Sequence, residues 1–211
     1  MIDGPAFILG NGPDLPVGEL HCLARRLTVG VNRIVLAFEP TVVMWVDASV
    51  YADAGERIDR CGALAVCGRA VRRRREHVGL EVVTGERALR RPAGPGVLCC
   101  NGSTGCCAAR WAASLGCRPV YLVGMGAAYR DGRTNFYGRN PRHRFAGRIS
   151  TLTVLRGELE RLRRDLPDVV APIADAQTLR ETAAACPPVD QRAARDRIRA
   201  LLTRRAAAAA E

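Results

Sequence analysis

Short apolar runs that alternate with helix-like stretches are the feature that most limits how this chain can fold. The runs cover residues 6–9, 28–31, 42–46, 63–67, 81–83, 97–100, 120–123 and 169–173. Short runs that are apolar throughout are typical of strands buried on both faces. Strands that alternate with helices form parallel sheets, because each crossover returns the chain to the same end of the sheet. The pattern therefore predicts an α/β protein.

Helical periodicity accompanies the strands at four places. The first is a short helix after the first glycine turn, with leucines at 20, 23 and 27. A helix that stops at Gly116 follows the loop at 101–105, and leucines step by three and four along 152–166. Apolar residues on one face also predict a helix in the Ala- and Arg-rich tail at 188–211. Helices between strands cover both faces of an open sheet. We expect a Rossmann-like, doubly wound, mostly parallel sheet with a C-terminal helix.

The length of 211 residues suits one globular domain with a helical tail. We place a nucleotide-binding domain at 1–176 and the tail at 177–211. The longest irregular stretch inside the domain, 127–148, is predicted to be a lid loop, because loops of this length in compact domains are often binding segments.

Arginine supplies all of the positive charge. The chain has 32 basic side chains, none of them lysine, and a formal net charge of +11. The guanidinium fork binds phosphate through two hydrogen bonds and stays protonated. The composition indicates a polyanionic partner or substrate; the alternative is a basic surface that only contacts solvent.

The nine cysteines do not form a metal-binding pattern. Two adjacent pairs, Cys99-Cys100 and Cys106-Cys107, lie inside apolar segments, which predicts small buried side chains rather than ligands. Residues 1–10 lack the basic region of a secretory signal, and no apolar run is long enough to span a bilayer. We expect a cytoplasmic protein, in the host cytoplasm if it is phage-encoded, with no membrane contact.

Polar or glycine-rich residues follow five of the predicted strands. They are the segments 10–14, 32–33, 47–49, 101–105 and 124–126. Parallel strands end at the same edge of a sheet, and ligands of open α/β folds bind outside that edge. We therefore expect these five exits to meet along one rim, which is the candidate site.

The first exit, Gly10-Asn11-Gly12, predicts a close approach of the backbone to a phosphate. Glycine has no Cβ, so its N–H group can point at a ligand, and Asn11 can hydrogen-bond a ribose or a base. Glycine also makes such turns for purely geometric reasons. In the second glycine-rich loop, Ser103 and Thr104 are either ligand contacts or helix caps.

The order of these motifs resembles one superfamily. The segments are ILGNGPDL, TVGVNRI, MWVDASVY and STGCCAARWAASLGCRPVYLVGMG, followed by a histidine before an amphipathic helix. The superfamily holds the small bacterial sialyltransferases that use CMP-activated donors and the 6-hydroxymethylpterin pyrophosphokinase-like proteins. The resemblance covers roughly residues 5–170. It implies a GT-A-like variant of the fold and a donor activated by a nucleotide.

The resemblance also assigns roles to individual residues. Asn11 and Asn32 would contact the nucleotide part of the donor, with Gly10 and Gly12 forming the turn around it. Thr104 and Gly105, with Ser103 beside them, would lie near the donor. His143 would be the general base that takes a proton from the acceptor hydroxyl.

The loop at 127–148 carries groups suited to the leaving phosphate. The resemblance implies that Tyr129 or Tyr137 donates to it. Neighbouring arginines would contact phosphate or nucleic acid and keep His143 neutral, so that it can accept a proton. These arginines are Arg130, Arg133, Arg139, Arg142 and Arg144.

Three further positions at the rim are Asp14, Gly126 and Asp47. Asp14 stands where the family often has Ser, either as an anion near the proposed phosphate or as a helix cap. Gly126 stands where the family commonly has Asp, so the sugar stays open. Asp47, at the end of the third strand, is a candidate catalytic or ribose-binding residue; the alternative is a cap for a helix that begins before Val50.

Together these features predict a glycosyltransferase that moves a sugar from a nucleotide donor to a hydroxyl. The arginine surplus, including 72–75, makes a hydroxymethylated base in phage DNA the preferred acceptor. We expect no tightly bound cofactor and no required divalent metal. One alternative is a pyrophosphokinase that uses Mg²⁺ to transfer diphosphate from ATP to a hydroxymethyl heterocycle. Another is a non-catalytic nucleic-acid-binding module. His21 and His77 are expected at the surface.

Overall fold

A single eight-stranded sheet forms the centre of the molecule in the computed structural model. The structure describes residues 1–90, 94–126, 135–137 and 149–208. The strands are β1 (Ala6–Leu9), β2 (Thr28–Val31), β3 (Val42–Trp45), β4 (Leu64–Gly68), β5 (Val78–Thr84), β6 (Val97–Cys100), β7 (Val120–Val123) and β8 (Val169–Ile173). Every pair of neighbouring strands runs parallel. The predicted Rossmann-like α/β sheet is confirmed.

The strand order is β6-β5-β4-β3-β2-β1-β7-β8, and its direction reverses beside β1. The chain adds β2 to β6 on one side of β1 and then crosses to add β7 and β8 on the other. In open α/β sheets such a switch point leaves a crevice outside the carboxyl ends of the two strands, and ligands bind there. The loops that begin at Gly10 and Gly124 flank this switch point.

Helices cover both faces of the sheet. They are α1 (Ala48–Arg60), α2 (Gly85–Arg90), α3 (Thr104–Ser114), α4 (Ile149–Asp165), α5 (Ala176–Ala185) and α6 (Gln191–Ala208). Side chains of α3, α4 and α6 pack with one face of the strands in a single core cluster. Those of α1 and α5 pack with the opposite face. The strands are buried on both sides, which explains why most of them read as uninterrupted apolar runs.

Helix α2 was not predicted, and two further elements differ from the sequence expectation. Helix α1 entered the sequence analysis only as the alternative role of Asp47, although Val50, Ala54 and Ile58 recur every fourth residue and all three are buried. Half of its ten remaining positions are charged, so the apolar stripe is narrow. Strand β5 begins at Val78 rather than at Glu81, because its alternating, half-buried pattern near the sheet edge interrupts the apolar run.

The tail packs against the sheet. Its last helix, α6, buries Ile198 and Leu202 against the core, as the apolar spacing predicts. At the start of α6, Gln191 accepts a hydrogen bond from the Thr41 hydroxyl at 2.5 Å and donates to the carbonyl oxygen of Arg26 at 2.7 Å. The tail therefore supports the amino ends of β2 and β3, at the edge opposite the predicted site.

Cysteines serve as small core residues. Seven of the nine are buried and two are half-buried, and all are free thiols. Burial raises the pKa of Cys67 to about 11 and that of Cys117 to about 12, so both are protonated at neutral pH. Among the described helices, none has the length and apolar character that a membrane span requires.

Candidate functional site at the carboxyl edge of the sheet

The exits of β1 and β7 are joined by backbone hydrogen bonds. The N–H of Gly10 donates to the Val123 carbonyl oxygen at 2.8 Å, and the N–H of Gly12 donates to the Gly124 carbonyl oxygen at 2.8 Å. A Cβ added to Gly10 would lie 2.4 Å from the same Gly124 oxygen. The glycines are therefore required for the close packing of two loops. The prediction that their N–H groups face a phosphate is wrong, because both already donate to carbonyl oxygens at the β7 exit.

The start of α3 reaches the same place. The side chain of Met125 lies between two glycines: a Cβ on Gly10 would be 2.5 Å from its Cγ, and a Cβ on Gly105 would be 2.6 Å from its Cε. Strand β6 stands at the far edge of the sheet, yet the helix that follows it begins beside the β1 and β7 exits. The structure thus brings Gly105 to the switch point, as the sequence analysis expects.

Two predicted site residues cap helices. The Ser103 hydroxyl accepts a hydrogen bond from the N–H of Cys106 at 3.2 Å and caps α3, whose first residue is Thr104. The Asp47 carboxylate accepts from the N–H of Ser49 at 2.8 Å and caps α1. Both caps satisfy N–H groups that a helix leaves unpaired. The residues still lie at the carboxyl edge, where Asp47 is exposed.

Asn11 connects three segments at the rim. Its amide nitrogen donates to the Val31 carbonyl oxygen at 2.7 Å, and its amide oxygen accepts from the N–H of Arg33 at 3.2 Å. Its backbone carbonyl oxygen accepts from the N–H of Phe136 at 3.0 Å. The β1 exit, the β2 exit and residues 135–137 therefore lie together. The side chain predicted to contact a nucleotide holds the rim in place.

Arg33 is a site residue that the sequence analysis missed. Its side chain is only 5% exposed and forms an ion pair with Asp53 of α1. The guanidinium carbon lies 5.5 Å from the ring centre of Tyr137. Burial raises the pKa of Tyr137, and the nearby Arg33 charge opposes that shift only in part. Tyr137 thus remains a neutral hydrogen-bond donor at the rim, as its predicted role requires.

Asn32 has the most unusual backbone of the predicted residues. Its φ is +54°, and it is the one non-glycine residue with a positive φ in the described part of the chain. Asparagine tolerates this left-handed conformation better than most residues, but at some cost in free energy. Its side-chain oxygen is buried and has no hydrogen-bond partner among the described residues. A strained residue with an unsatisfied acceptor is typical of a binding site.

Unsatisfied buried polar atoms concentrate at this edge. Within the described ranges six side-chain atoms are in this state, and four of them follow or end β1, β2 and β3. The four are Asp14 Oδ1, Asn32 Oδ1, Trp45 Nε1 and Ser49 Oγ. Each costs roughly 1–3 kcal/mol if it finds no partner. The set combines acceptors, an N–H donor and a hydroxyl, which suits a polar ligand with both kinds of group.

Asp14 is not a helix cap. The short 3₁₀ helix at Val17–Leu23 has no side-chain cap. One oxygen of the buried Asp14 carboxylate accepts from the N–H of Gly126 at 2.9 Å. A Cβ at Gly126 would lie 2.6 Å from that oxygen. The carboxylate of Asp14 thus fills the space beside position 126, and glycine at 126 leaves room for it.

Some predicted residues lie outside the described part of the chain. They are Tyr129, His143, Arg130, Arg133, Arg139, Arg142 and Arg144. Their roles stay predictions. Among the described residues, no three His, Cys, Asp or Glu side chains form a group that could hold a metal ion.

The expectation for His21 is confirmed, since it is exposed, but that for His77 is wrong. His77 is 5% exposed, and its ring packs edge-on against Trp45 with 5.2 Å between centroids. Its Nε2 lies 3.1 Å from a carboxylate oxygen of Asp59. The preceding arginine run suggested an exposed segment, but the chain turns into the core directly before β5.

The fold and the rim define a class: a Rossmann-like α/β protein with polar loops at the carboxyl edge of its sheet, on both sides of the topological switch point. Comparisons of the chain with protein-family models, with curated proteins and with solved structures found no match.

Proposed function

We propose that the chain is a nucleotide-sugar-dependent glycosyltransferase. Its preferred acceptor is the hydroxyl of a hydroxymethylated base in DNA. The observation that carries the nucleotide-binding part is the group of unsatisfied polar atoms at the exits of β1, β2 and β3, on the edge of the sheet that holds the switch point. A nucleotide offers the amino, carbonyl and hydroxyl groups that these atoms lack. The motif resemblance supplies the transfer chemistry.

In this proposal Asn32 binds the nucleotide directly. Its strained backbone places the amide at the β2 exit, where a small side-chain rotation offers the unsatisfied oxygen to an amino group of the base. Asn11 is a positioning residue in this proposal, because both atoms of its amide already form hydrogen bonds with the β2 exit. Tyr137, half-buried over Arg33, donates its hydroxyl to the leaving phosphate.

The carboxylate that the resemblance expects at position 126 is supplied by Asp14 in this proposal. Support comes from the hydrogen bond that the backbone N–H of Gly126 donates to the Asp14 carboxylate, because it holds the carboxylate where a side chain at position 126 would begin. The buried Oδ1 of Asp14 has no partner among the described residues. It would accept a hydrogen bond from a donor hydroxyl.

The transfer step itself uses His143. The acceptor oxygen attacks the anomeric carbon while His143 takes the hydroxyl proton, the bond to the nucleotide phosphate breaks, and the phosphate leaves with both electrons of that bond. A general base contributes about 10²–10⁴ to such a rate. Arginines of 127–148 neutralise the charge of the phosphate as it leaves, and the Tyr137 hydroxyl donates a hydrogen bond to it.

The test incubates the protein with hydroxymethylated or ordinary DNA and a panel of nucleotide sugars. The digested nucleosides are then weighed by mass spectrometry. We expect a mass gain of one sugar on the hydroxymethylated base with one class of donor, and its loss in the His143→Ala variant. If no donor gives a mass gain, the DNA acceptor is refuted.

The pyrophosphokinase is a second candidate that one observation favours. The unsatisfied carboxylate oxygen of Asp14 is a hard ligand of the kind that Mg²⁺ prefers, and it lies at the switch point. The pyrophosphokinase hypothesis requires that the protein convert ATP to AMP and that this conversion depend on Mg²⁺. A nucleic-acid-binding module differs from both enzymes: it would keep its affinity in the His143→Ala variant and never show turnover.

A further inference from the structure

The loop between β4 and β5 carries five arginines within seven residues, at positions 69–75. Arg69, at the carboxyl end of β4, and all four residues of the run at 72–75 are exposed. Glu76 is the one acidic residue between positions 69 and 77. We call these five arginines the basic loop. Arginines this close repel one another through solvent, at a cost that salt only partly screens.

Two of the five arginines fix the shape of the basic loop. The guanidinium of Arg72 donates to the carbonyl oxygens of Arg74 and Arg75 and so stabilises the backbone turn of the loop. Arg74 pairs with the Asp59 carboxylate of α1, at 2.8 Å between Nε and Oδ2. Although burial alone would raise the pKa of Asp59, hydrogen bonds from Tyr51 and Arg74 lower it, so the anchor is ionised at neutral pH. The loop is thus held by charge and hydrogen bonds.

The other three arginines project from this fixed loop. In the part of the chain that the structure describes, Arg69, Arg73 and Arg75 have no carboxylate partner within ion-pair distance. Arg72 also remains charged, because backbone carbonyls do not neutralise it. A preorganised group of unpaired guanidinium forks is the arrangement that binds a row of phosphates.

We infer that the basic loop binds the phosphate backbone of double-stranded nucleic acid, the acceptor of the proposed transferase. The role of the duplex as acceptor rests on the proposed function. The binding of the duplex to the basic loop does not depend on catalysis. Single-stranded binding uses exposed aromatic rings for base stacking. Every aromatic ring of the described residues is buried or half-buried, which favours a duplex read through its backbone.

The position of the loop fits an acceptor. The β4 exit lies at the same edge as the β1 exit and is separated from it by β3 and β2. At about 4.8 Å between strands, the two exits are roughly 14 Å apart. That distance is less than the width of a duplex. A nucleotide turned out of a duplex bound at Arg69 can therefore reach the switch point.

The test measures fluorescence anisotropy of a labelled duplex with the wild-type chain and two triple variants. One variant, Arg69→Ala/Arg73→Ala/Arg75→Ala, removes the projecting forks. The matched control, Arg163→Ala/Arg192→Ala/Arg199→Ala, removes the same charge from exposed positions on α4 and α6. Binding is measured from about 50 to about 200 mM salt, and nucleotide binding is followed separately by calorimetry.

We expect the loop variant to weaken duplex binding by roughly tenfold or more and to reduce the salt slope by about 2–3, whereas the control changes affinity by less than about threefold. Equal losses in both variants would refute the site, since net charge alone would explain them. Vesicles of anionic phospholipid that bind more tightly than the duplex, displace it from the wild-type chain and lose affinity in the loop variant would refute it in favour of a membrane surface. If the loop variant loses duplex binding but keeps nucleotide binding, the two sites are separate, and the result does not bear on the nucleotide site.

Discussion

Replacing Gly10 by alanine tests whether the β1 and β7 exits are in contact. The new Cβ would lie 2.4 Å from the carbonyl oxygen of Gly124 and 2.5 Å from Cγ of Met125, well inside the 3.0 Å limit below which such contacts are not found. The methionine can move, but the carbonyl belongs to a backbone that already accepts from Gly12. The two loops must therefore separate.

The expected loss follows from three contributions. Overpacking costs roughly 1–3 kcal/mol, and a weakened hydrogen bond between the loops costs about 1 kcal/mol more. Alanine restricts the unfolded chain, which returns about 0.4–1 kcal/mol. The net destabilisation is about 2 kcal/mol. For a chain of this length that lowers the melting temperature by roughly 4–8 °C.

The assay is thermal and urea unfolding followed by circular dichroism, with Gly18→Ala as the control. No heavy atom lies within 4 Å of a Cβ at Gly18, and its φ is not positive, so we expect a change of less than about 0.5 kcal/mol. If Gly10→Ala is as stable as the control, the two exits are not packed as described, and the switch-point crevice loses its geometric basis.

Two further predictions concern stability. Asp59 has a lowered pKa, so its ionised form stabilises the fold above the usual carboxyl pKa of about 4 and that contribution disappears as the pH falls through the folded value; Asp59→Asn should cost about 1–3 kcal/mol at pH 7, and the difference from wild type in urea unfolding should shrink below pH 4. A pH-independent difference would contradict the pairing. Gly157 lies inside α4 with open space around its Cβ position, so Gly157→Ala should raise the free energy of unfolding by about 0.5–1 kcal/mol; a loss of stability would mean that this face of α4 is covered.

Strand positions can be predicted from the sequence because a strand buried on both faces requires a run of consecutive apolar residues. Runs such as 6–9 and 120–123 match their strands at both ends. Their parallel direction then places the exits on one edge, which is why Asn32 and Gly105 could be assigned to it. The pairing of β1 with β7 could not be read locally, because it joins segments more than 100 residues apart.

Buried charged residues were the main omission. Arg33 and His77 look exposed in sequence because their burial depends on partners elsewhere in the chain, Asp53 and Asp59 on α1. Because the sequence analysis gave helix α1 only as an alternative for Asp47 and did not follow it to its end, neither partner was found. A search for acidic residues at helical spacing after Asp47 would have found them. Likewise, the glycines at 10 and 12 were predicted to contact a phosphate. The sequence does not reveal that their N–H groups donate to carbonyl oxygens at the β7 exit.

The most direct test of the nucleotide site is calorimetric titration of nucleoside phosphates into the wild-type chain and the Asn32→Gly variant. Glycine adopts the positive φ of residue 32 without strain, so the variant removes only the side-chain amide. We predict saturable binding of at least one nucleotide to the wild type and about tenfold weaker binding to the variant, which corresponds to ~1.4 kcal/mol, with an unfolding midpoint that does not fall. Equal affinity in the two proteins, or no nucleotide bound by the wild type, would contradict a nucleotide site at the carboxyl edge of this sheet.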